Sequence, residues 1–519
     1  MKSKSFLKIL SDINAAPSGP EICAFFDFDG TIISGFSAIA YLKQQLRRGD
    51  FSIGELTEMA AAMTRFGIGD LGFSAMMATT MQFLRDSEEQ DFIDFSEYMY
   101  EKHIARAIYP ESRALIEAHQ ARGHTVAIVS SATKYQVDPA ARDLGIEHVF
   151  CTDLELVDGK FTGGVRHPTC FGPGKVTAAQ SVADTVGAEL GESFFYTDST
   201  DDIELLEAVG KPVTLNANKR LTEIAKERDW PSARFDSRGR AGLMKWARSI
   251  AATGSLATSF AAALPILALT GSKRRMQNFS YGLFSETAAA LIGLDLDISG
   301  EENVWKQRPA VFVFNHQSKA DVVIILQLLR KDLAGVGKQE IRNMPIIGQV
   351  MQLGGTVLID RKNARSAINA MQPLVDVMQD EGKSVVMAPE GTRTITPKLN
   401  PFKKGAFHLA IEAGVPMIPI VIHNSIDVAP KGDFVFRPAT VKVDVLDPVD
   451  TSRWKKTTID DHVAEVRQLF LETLGQADEL KPVKKVKKKR TRKKTTRKKK
   501  VVTKVTASTD NSSGSTSGS

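Results

Sequence analysis

VFVFNHQSKAD, Val311 to Asp321, is the stretch on which the reading of this chain turns. Its four leading apolar residues predict a strand buried on both faces, which stops abruptly at Asn315 and His316, with Asp321 five residues after the histidine. Gln317, Ser318, Lys319 and Ala320 predict a loop turning into the helix that VVIILQLL continues. A strand end thus delivers a histidine to a sheet edge, and the loop folds a carboxylate back toward its ring. In such a pair the carboxylate fixes the tautomer and supports the imidazolium, while the other ring nitrogen takes a proton from a hydroxyl. The same spacing also fits a purely structural hydrogen bond, and it implies no nucleophilic Ser or Cys.

Three later stretches sharpen this. GTVLIDR, Gly355 to Arg361, ends a second apolar strand in Asp360 and Arg361; SVVMAPEGTR, Ser384 to Arg393, ends a third in Glu390, Gly391, Thr392 and Arg393; VPMIPI, Val415 to Ile420, is a fourth. In this order and spacing the blocks resemble those of the glycerolipid acyltransferases, the 1-acylglycerol-3-phosphate acyltransferase family, over about residues 300 to 425. The resemblance implies an α/β domain in which His316 is the base and Asp321 its orienting partner. Arg361, Glu390, Gly391, Thr392 and Arg393 would hold the lysophospholipid acceptor, with acyl-coenzyme A or acyl carrier protein as donor. Independently, Arg361 and Arg393 stand after strands and suit a bidentate grip on phosphate. Lys403 and Lys404 add charge at a helix start. Relatives often read FPEGTRS where this chain has Ala388 and Thr394, a change that keeps the charged residues.

Upstream, EICAFFDFDGT, Glu21 to Thr31, predicts a strand stopping at Asp27 and Asp29, two carboxylates that ask for a cation if buried together. HTVAIVSSAT puts Ser130 or Ser131 at another strand end, GPGK puts Lys175 at a helix start, and SFFYTDSTDD ends a strand in Asp198 with Asp202 four residues on. This order resembles the haloacid dehalogenase superfamily, in the branch that includes phosphoserine phosphatases, over about residues 20 to 235. It implies a Rossmann-like α/β fold with Asp27 as the nucleophile taking the phosphoryl group and Asp29 as general acid. Ser130 would hydrogen-bond the phosphoryl oxygens, Lys175 would neutralise charge beside the aspartyl-phosphate, and Mg2+ would sit on Asp27, Asp198 and the Asp29 backbone carbonyl. Asp202 would support that shell, and Asp201 stands where many relatives have Asn.

Helical patterns between about 35 and 108 predict a cap inserted over the phosphatase site. Its recurring Met and Phe residues, such as Met59, Met77 and Phe83, fit a cap core or a greasy pocket for a lipid-like phosphate. The predicted organisation is a phosphatase-like domain at 20–238, apolar membrane-associating helices at 239–297, an acyltransferase domain at 298–478 and a disordered basic tail at 479–519. Ser249 to Ser272 has no charged residue, with Arg248 before it and Lys273 after it, and is rich in Ala, Ser, Thr and Gly. It predicts a helix or helical pair lying at a bilayer interface, with a true span or a buried helix as alternatives. Phe279 to Leu296 predicts a second apolar helix.

A 519-residue chain that is 43% hydrophobic and 25% charged has the composition of a folded multidomain protein. Its net charge of +6 is concentrated in fifteen Lys and Arg, with no acid, between Lys481 and Lys504, so the body before them is acidic. That run predicts attraction to an anionic membrane surface, with nucleic acid as the rival partner. Cys23, Cys151 and Cys170 lack metal-ligand spacing and are expected to be reduced packing residues, and the N-terminus lacks the apolar core of a secretory signal. The location these features imply is the cytoplasmic face of the cell membrane. A phosphatase of a soluble metabolite joined to an acyltransferase with another acceptor is the alternative function.

Overall fold

Alternating apolar segments and amphipathic helices build two α/β sheets. The structure, a computed structural model, describes residues 4–49, 53–67, 73–344, 347–359 and 371–477. Arg361 and the basic tail lie outside the described residues.

The first sheet contains β1 (Cys23–Phe26), β2 (Thr125–Thr133), β3 (His148–Thr152), β6 (Phe194–Thr197), β7 (Lys211–Leu215) and β8 (Ser232–Ala233), in the order β3-β2-β1-β6-β7-β8 and all parallel. β4 (Leu154–Val157) and β5 (Lys160–Val165) form a separate antiparallel hairpin. Strand alternation divides β1: Ala24 and Phe26 enter one apolar layer, Cys23 and Phe25 the other. This is why the run is apolar throughout, as parallel strands covered on both faces require. The order reverses at β1, whose neighbours are β2 and β6, so the carboxyl ends of these strands frame a crevice suited to a ligand. The helix Lys4–Ala15 packs Phe6, Ile9 and Ile13 into the first layer. Helices Ser37–Arg48, Ile53–Gly67, Phe73–Thr80 and Glu89–Met99 form the inserted cap, and Tyr41, Met77, Phe92 and Phe95 share a core with the β4–β5 hairpin.

The second sheet contains β9 (Leu294–Ser299), β10 (Val311–Phe314), β11 (Leu333–Lys338), β12 (Val357–Ile359), β13 (Ser384–Met387), β14 (Met417–Ile422) and β15 (Ala439–Val445), in the order β12-β11-β13-β10-β14-β15-β9. Only the β14–β15 pairing is antiparallel. β10 is central: Phe312 and Phe314 face the layer containing the helix Asp321–Leu329, and Val311 and Val313 face the helices Gln372–Gln379, Gly405–Ala413 and Ile459–Thr473.

Between the two sheets in sequence comes a helical hairpin, Leu243–Thr270 and Lys273–Ile292, turned at Gly271 and packed on the second sheet. The second helix ends at Gly293, short of the expected Leu296, because LDLDIS alternates and becomes β9, buried at Leu294 and exposed at Asp295. The first helix has a mean hydropathy of 1.6 over its most apolar window, yet only 28% of that window is buried. It turns Ser249, Ala252, Ser255, Ser259 and Ala263 inward, while Leu243, Ile250, Leu264 and Leu269 stay exposed. The small-residue face is stitched down: Phe436 N–H donates to Ser249 Oγ at 2.9 Å, and Phe260 lies against Gly354.

Candidate functional site

His316 leaves the end of β10 with its ring about one-quarter exposed, whereas Asp321, at the first turn of the next helix, is fully buried. His316 Nδ1 lies 2.7 Å from Asp321 Oδ2, and the same oxygen accepts the N–H groups of Gln317 at 2.8 Å and Ser318 at 2.9 Å. Asp321 Oδ2 thus gathers three donors, the ring nitrogen among them. It therefore fixes the proton on Nδ1 and leaves Nε2 as a base facing the open side. Asn315, the residue before, is spent on structure: its side chain bonds Ile422 O at 2.8 Å and Ile422 N at 2.7 Å, locking β10 to β14.

The β13 loop closes over this corner. Glu390 is buried, and its two oxygens take the N–H groups of His316 at 2.7 Å and Asn400 at 3.0 Å. Burial pushes its carboxyl up to about 7 despite those bonds. Thr394 N–H returns to His316 O at 2.8 Å. Gly391 has φ +72°, and an added Cβ would meet Lys403 Nζ at 2.8 Å, so the ammonium of Lys403 lies over this glycine. Thr392 is exposed and Arg393 half-buried, at the rim. Lys404 instead pairs with Asp460 on the surface at 2.7 Å.

Lys319 and Lys431 join the rim without having been singled out in the sequence. Lys319 Nζ sits 4.6 Å from the Phe434 ring and donates to Phe434 O at 3.3 Å. Burial and then the neighbouring charge of Arg393 hold its ammonium below the ordinary lysine value. Lys431 Nζ donates to Arg393 O at 2.8 Å. The positive side chains converge only through contacts made across long stretches of chain, and a lysine in a loop carries no mark of that.

In the first domain Asp27 is buried at the end of β1, its carboxylate oxygen 2.8 Å from Lys175 Nζ. Lys175 also reaches Asp202 at 2.7 Å, and Thr197 Oγ1 donates to the same carboxylate. Burial pushes Asp27 up against the opposing pull of Lys175, whose own value the two acids hold well above the ordinary one. Asp29 accepts from Ser37 N at 2.8 Å and Ser37 Oγ at 3.0 Å, which ties it to the first turn of the cap; burial raises it to about 7. Ser130 is buried on β2, in the strand beside β1, and its Oγ accepts the Ala132 N–H at 3.3 Å.

Asp198, at the end of β6, is pushed up to about 8 by burial and then by the charges of Asp27 and Asp202. Gly30 has φ +77°, and a Cβ there would fall 2.1 Å from Asp198 Oδ2, so the carboxylate rests directly on the Gly30 backbone. Asp27, Asp29, Asp198 and Asp202 thus crowd around one lysine, an excess of negative charge that a divalent cation would offset. Among the described residues no three His, Cys, Asp or Glu side chains close on one point. The donors offered here are carboxylate oxygens, which suit magnesium better than zinc.

Residues 24–207 match the haloacid dehalogenase-like hydrolase family, and residues 295–423 match the acyltransferase family. The 1-acyl-sn-glycerol-3-phosphate acyltransferase of Limnanthes alba is 34% identical over 184 residues, 36% of this chain, which spans 65% of that relative's length. The enzyme of the same name from Salmonella typhimurium is 31% identical over 200 residues, 38% of this chain and 81% of that one. A solved structure of the 1-acyl-sn-glycerophosphate acyltransferase from Thermotoga maritima is 24% identical, covers 46% of this chain and 96% of that one, and has a TM-score of 0.38. By its sequence relatives and its matched domains, the chain belongs to the 1-acyl-sn-glycerol-3-phosphate acyltransferase family and carries a haloacid dehalogenase-like hydrolase domain ahead of its acyltransferase domain.

Proposed function

We propose that this chain transfers an acyl group from acyl-coenzyme A or acyl carrier protein to the free hydroxyl of 1-acylglycerol 3-phosphate, giving phosphatidic acid, while its first domain hydrolyses a phosphate monoester. The observation that carries the first activity is the His316–Asp321 bond of 2.7 Å, with Asp321 saturated on one oxygen and Nε2 left free. Nε2 takes the acceptor's hydroxyl proton as its oxygen bonds to the thioester carbonyl; collapse of the tetrahedral intermediate expels the thiolate, which recovers that proton. Arg393, Lys403 and Lys319 supply the positive rim for the acceptor's phosphate, and Arg361 is assigned there from sequence. The test is phosphatidic acid formation from lysophosphatidic acid and acyl-coenzyme A by the full chain, lost in His316→Ala.

For hydrolysis, Asp27 attacks phosphorus as the ester P–O bond breaks and Asp29 gives its proton to the leaving oxygen, a role suited to a carboxyl held at about 7. Water then attacks the same phosphorus, losing its proton to Asp29, and releases phosphate from Asp27. Asp27, Asp198 and the Asp29 carbonyl would hold magnesium, which when bound offsets the charge of the phosphoryl oxygens. Lys175 holds Asp27 in place, and Ser130 is the nearby hydroxyl for the phosphoryl group. Beryllium fluoride captured on Asp27 in the presence of magnesium would test this; capture elsewhere sinks it.

The exposed apolar flank of Leu243–Thr270 supports a place at the cytoplasmic face of the membrane, where the acceptor resides. The basic tail adds electrostatic attraction to anionic lipid, and binding to vesicles measured against DNA separates that partner from nucleic acid.

A further inference from the structure

The segment Asn424–Arg437 is gripped by three parts of the chain at once. From the acyltransferase site, Ser318 Oγ donates to Ala429 O at 2.8 Å, Lys319 donates to Phe434 O, and Lys431 of the segment donates to Arg393 O. The helix Leu243–Thr270 takes Phe436 N–H on Ser249 and stacks Trp246 on Phe434 with ring centres 5.4 Å apart. The phosphatase-like domain supplies two arginines. Arg238, its side chain only 5% exposed, donates to the carbonyl oxygens of Ile426 and Asp427, each at 3.3 Å, with the Asp427 carboxylate 3.9 Å away. Arg106 donates to Gly432 O at 3.1 Å. A further link runs beside the segment: Ile395, next to the Thr394 that holds His316 O, packs against the apolar core of the phosphatase-like domain.

We propose that the phosphatase-like domain is a working part of the acyltransferase site, with Arg238 as a positioning residue for His316. The inference rests on the acyl-transfer reading above. Its route is short and made of hydrogen bonds. Arg238 fixes the carbonyls of residues 426 and 427; Ala429, two residues on, fixes the Ser318 hydroxyl; the Ser318 N–H is one of three donors on the Asp321 oxygen that orients His316. A guanidinium presents a planar fork that bridges successive carbonyls, and its charge strengthens both bonds. Truncation would take the Arg238 donors away from those carbonyls and free the segment to shift. The motion would reach the site as a loosened Ser318 and a tilted carboxylate, while the phosphatase carboxylates, on the opposite side of Arg238 in sequence and anchored by Lys175, would keep their bonds.

The experiment uses the full chain with Arg238→Ala, Arg238→Lys, Ser318→Ala and the double variant Arg238→Ala/Ser318→Ala. Acyl transfer from acyl-coenzyme A to lysophosphatidic acid is measured beside magnesium-dependent hydrolysis of p-nitrophenyl phosphate. Arg238→Ala is expected to lower kcat for acyl transfer about tenfold with KM for lysophosphatidic acid nearly unchanged, since sub-ångström misplacement acts on the chemical step. Hydrolysis stays near normal, and Arg238→Lys, which can reach one carbonyl, recovers part of the loss. Because both changes cut the same route, the double variant falls little below the worse single one. Wild-type kcat in Arg238→Ala overturns the proposal. So does a loss of both activities in Arg238→Ala and Arg238→Lys alike, or fully multiplicative losses in the double variant. An unaltered chain that transfers no acyl group sinks the acyl-transfer reading itself, a result distinct from any of these.

Discussion

Glu390 reaches from the loop after β13 to the end of β10 and accepts the backbone N–H of His316 at 2.7 Å, so the His316 corner is braced through main chain as well as through Asp321. Its second oxygen takes the Asn400 N–H. The acid is thereby a brace whose contribution depends on its charge. Burial raises the folded value to about 7, above the ordinary 4.5. Between those values the folded state binds more protons than the unfolded one, so this group favours folding below about 4.5 and loses that contribution as pH rises through 7. We predict that Glu390→Gln lacks this component. The stability difference between the parent and the variant should change by about 3 kcal/mol from pH 4 to pH 8, read by denaturant unfolding. A difference that stays flat with pH would show that Glu390 titrates normally.

Asp321→Asn is predicted to lower acyl transfer by roughly 10²- to 10⁴-fold with the fold intact, because an amide can present N–H to Nδ1 and leave the proton on the wrong nitrogen. The measurement is kcat alongside thermal unfolding. A variant within threefold of the parent would reduce the pair to a structural hydrogen bond.

Lys175 is buried between Asp27 and Asp202. Lys175→Met removes the cation and strands the acids, so in metal-free buffer the protein should lose about 3 kcal/mol of stability, and phosphate ester hydrolysis should stop. Unchanged unfolding would mean that the acids are neutral in the folded chain.

For the proposed membrane contact the informative positions are Leu264 and Leu269, 50% and 86% exposed, whereas Leu267 packs against the acyltransferase core. Asp at Leu264 and Leu269 is predicted to release the protein from anionic vesicles at every ionic strength without unfolding it. Truncation after Leu480 should weaken binding mainly at low salt, as screening demands. Co-sedimentation across a salt series distinguishes the two, and binding that survives the paired Asp change while vanishing with the tail would make the tail the anchor.

Much of this was legible because local pattern and tertiary position agree. The apolar run Val311–Phe314 is a strand covered on both faces, and the loop before Asp321 returns the carboxylate to His316 as its length allows. Two local signals were readable and passed over: LDLDIS alternates as β9 does, and LELVDGKFTGG flanks Asp158 and Gly159, both at positive φ, with strand residues as a hairpin should. What no local rule could give is Lys319 beneath Phe434, Lys431 on Arg393, or Arg238 on Ile426, since each joins residues tens to hundreds of positions apart. Nothing in SRGR distinguishes its arginines.

The hairpin helix Leu243–Thr270 carries Ser249, Ser255, Ser259, Ala252 and Ala263 against the protein and turns Leu243, Leu264 and Leu269 outward. At 1.5 Å per residue its 28 residues form a rod about 42 Å long, and one flank is sealed by Ser249, Phe260 and Ala263. At a bilayer surface, a rod covered along one flank would offer lipid its other flank, like a keel. Seated this way the enzyme would draw acceptor and release product in a single leaflet, leaving any movement of phosphatidic acid to the opposite leaflet to other machinery.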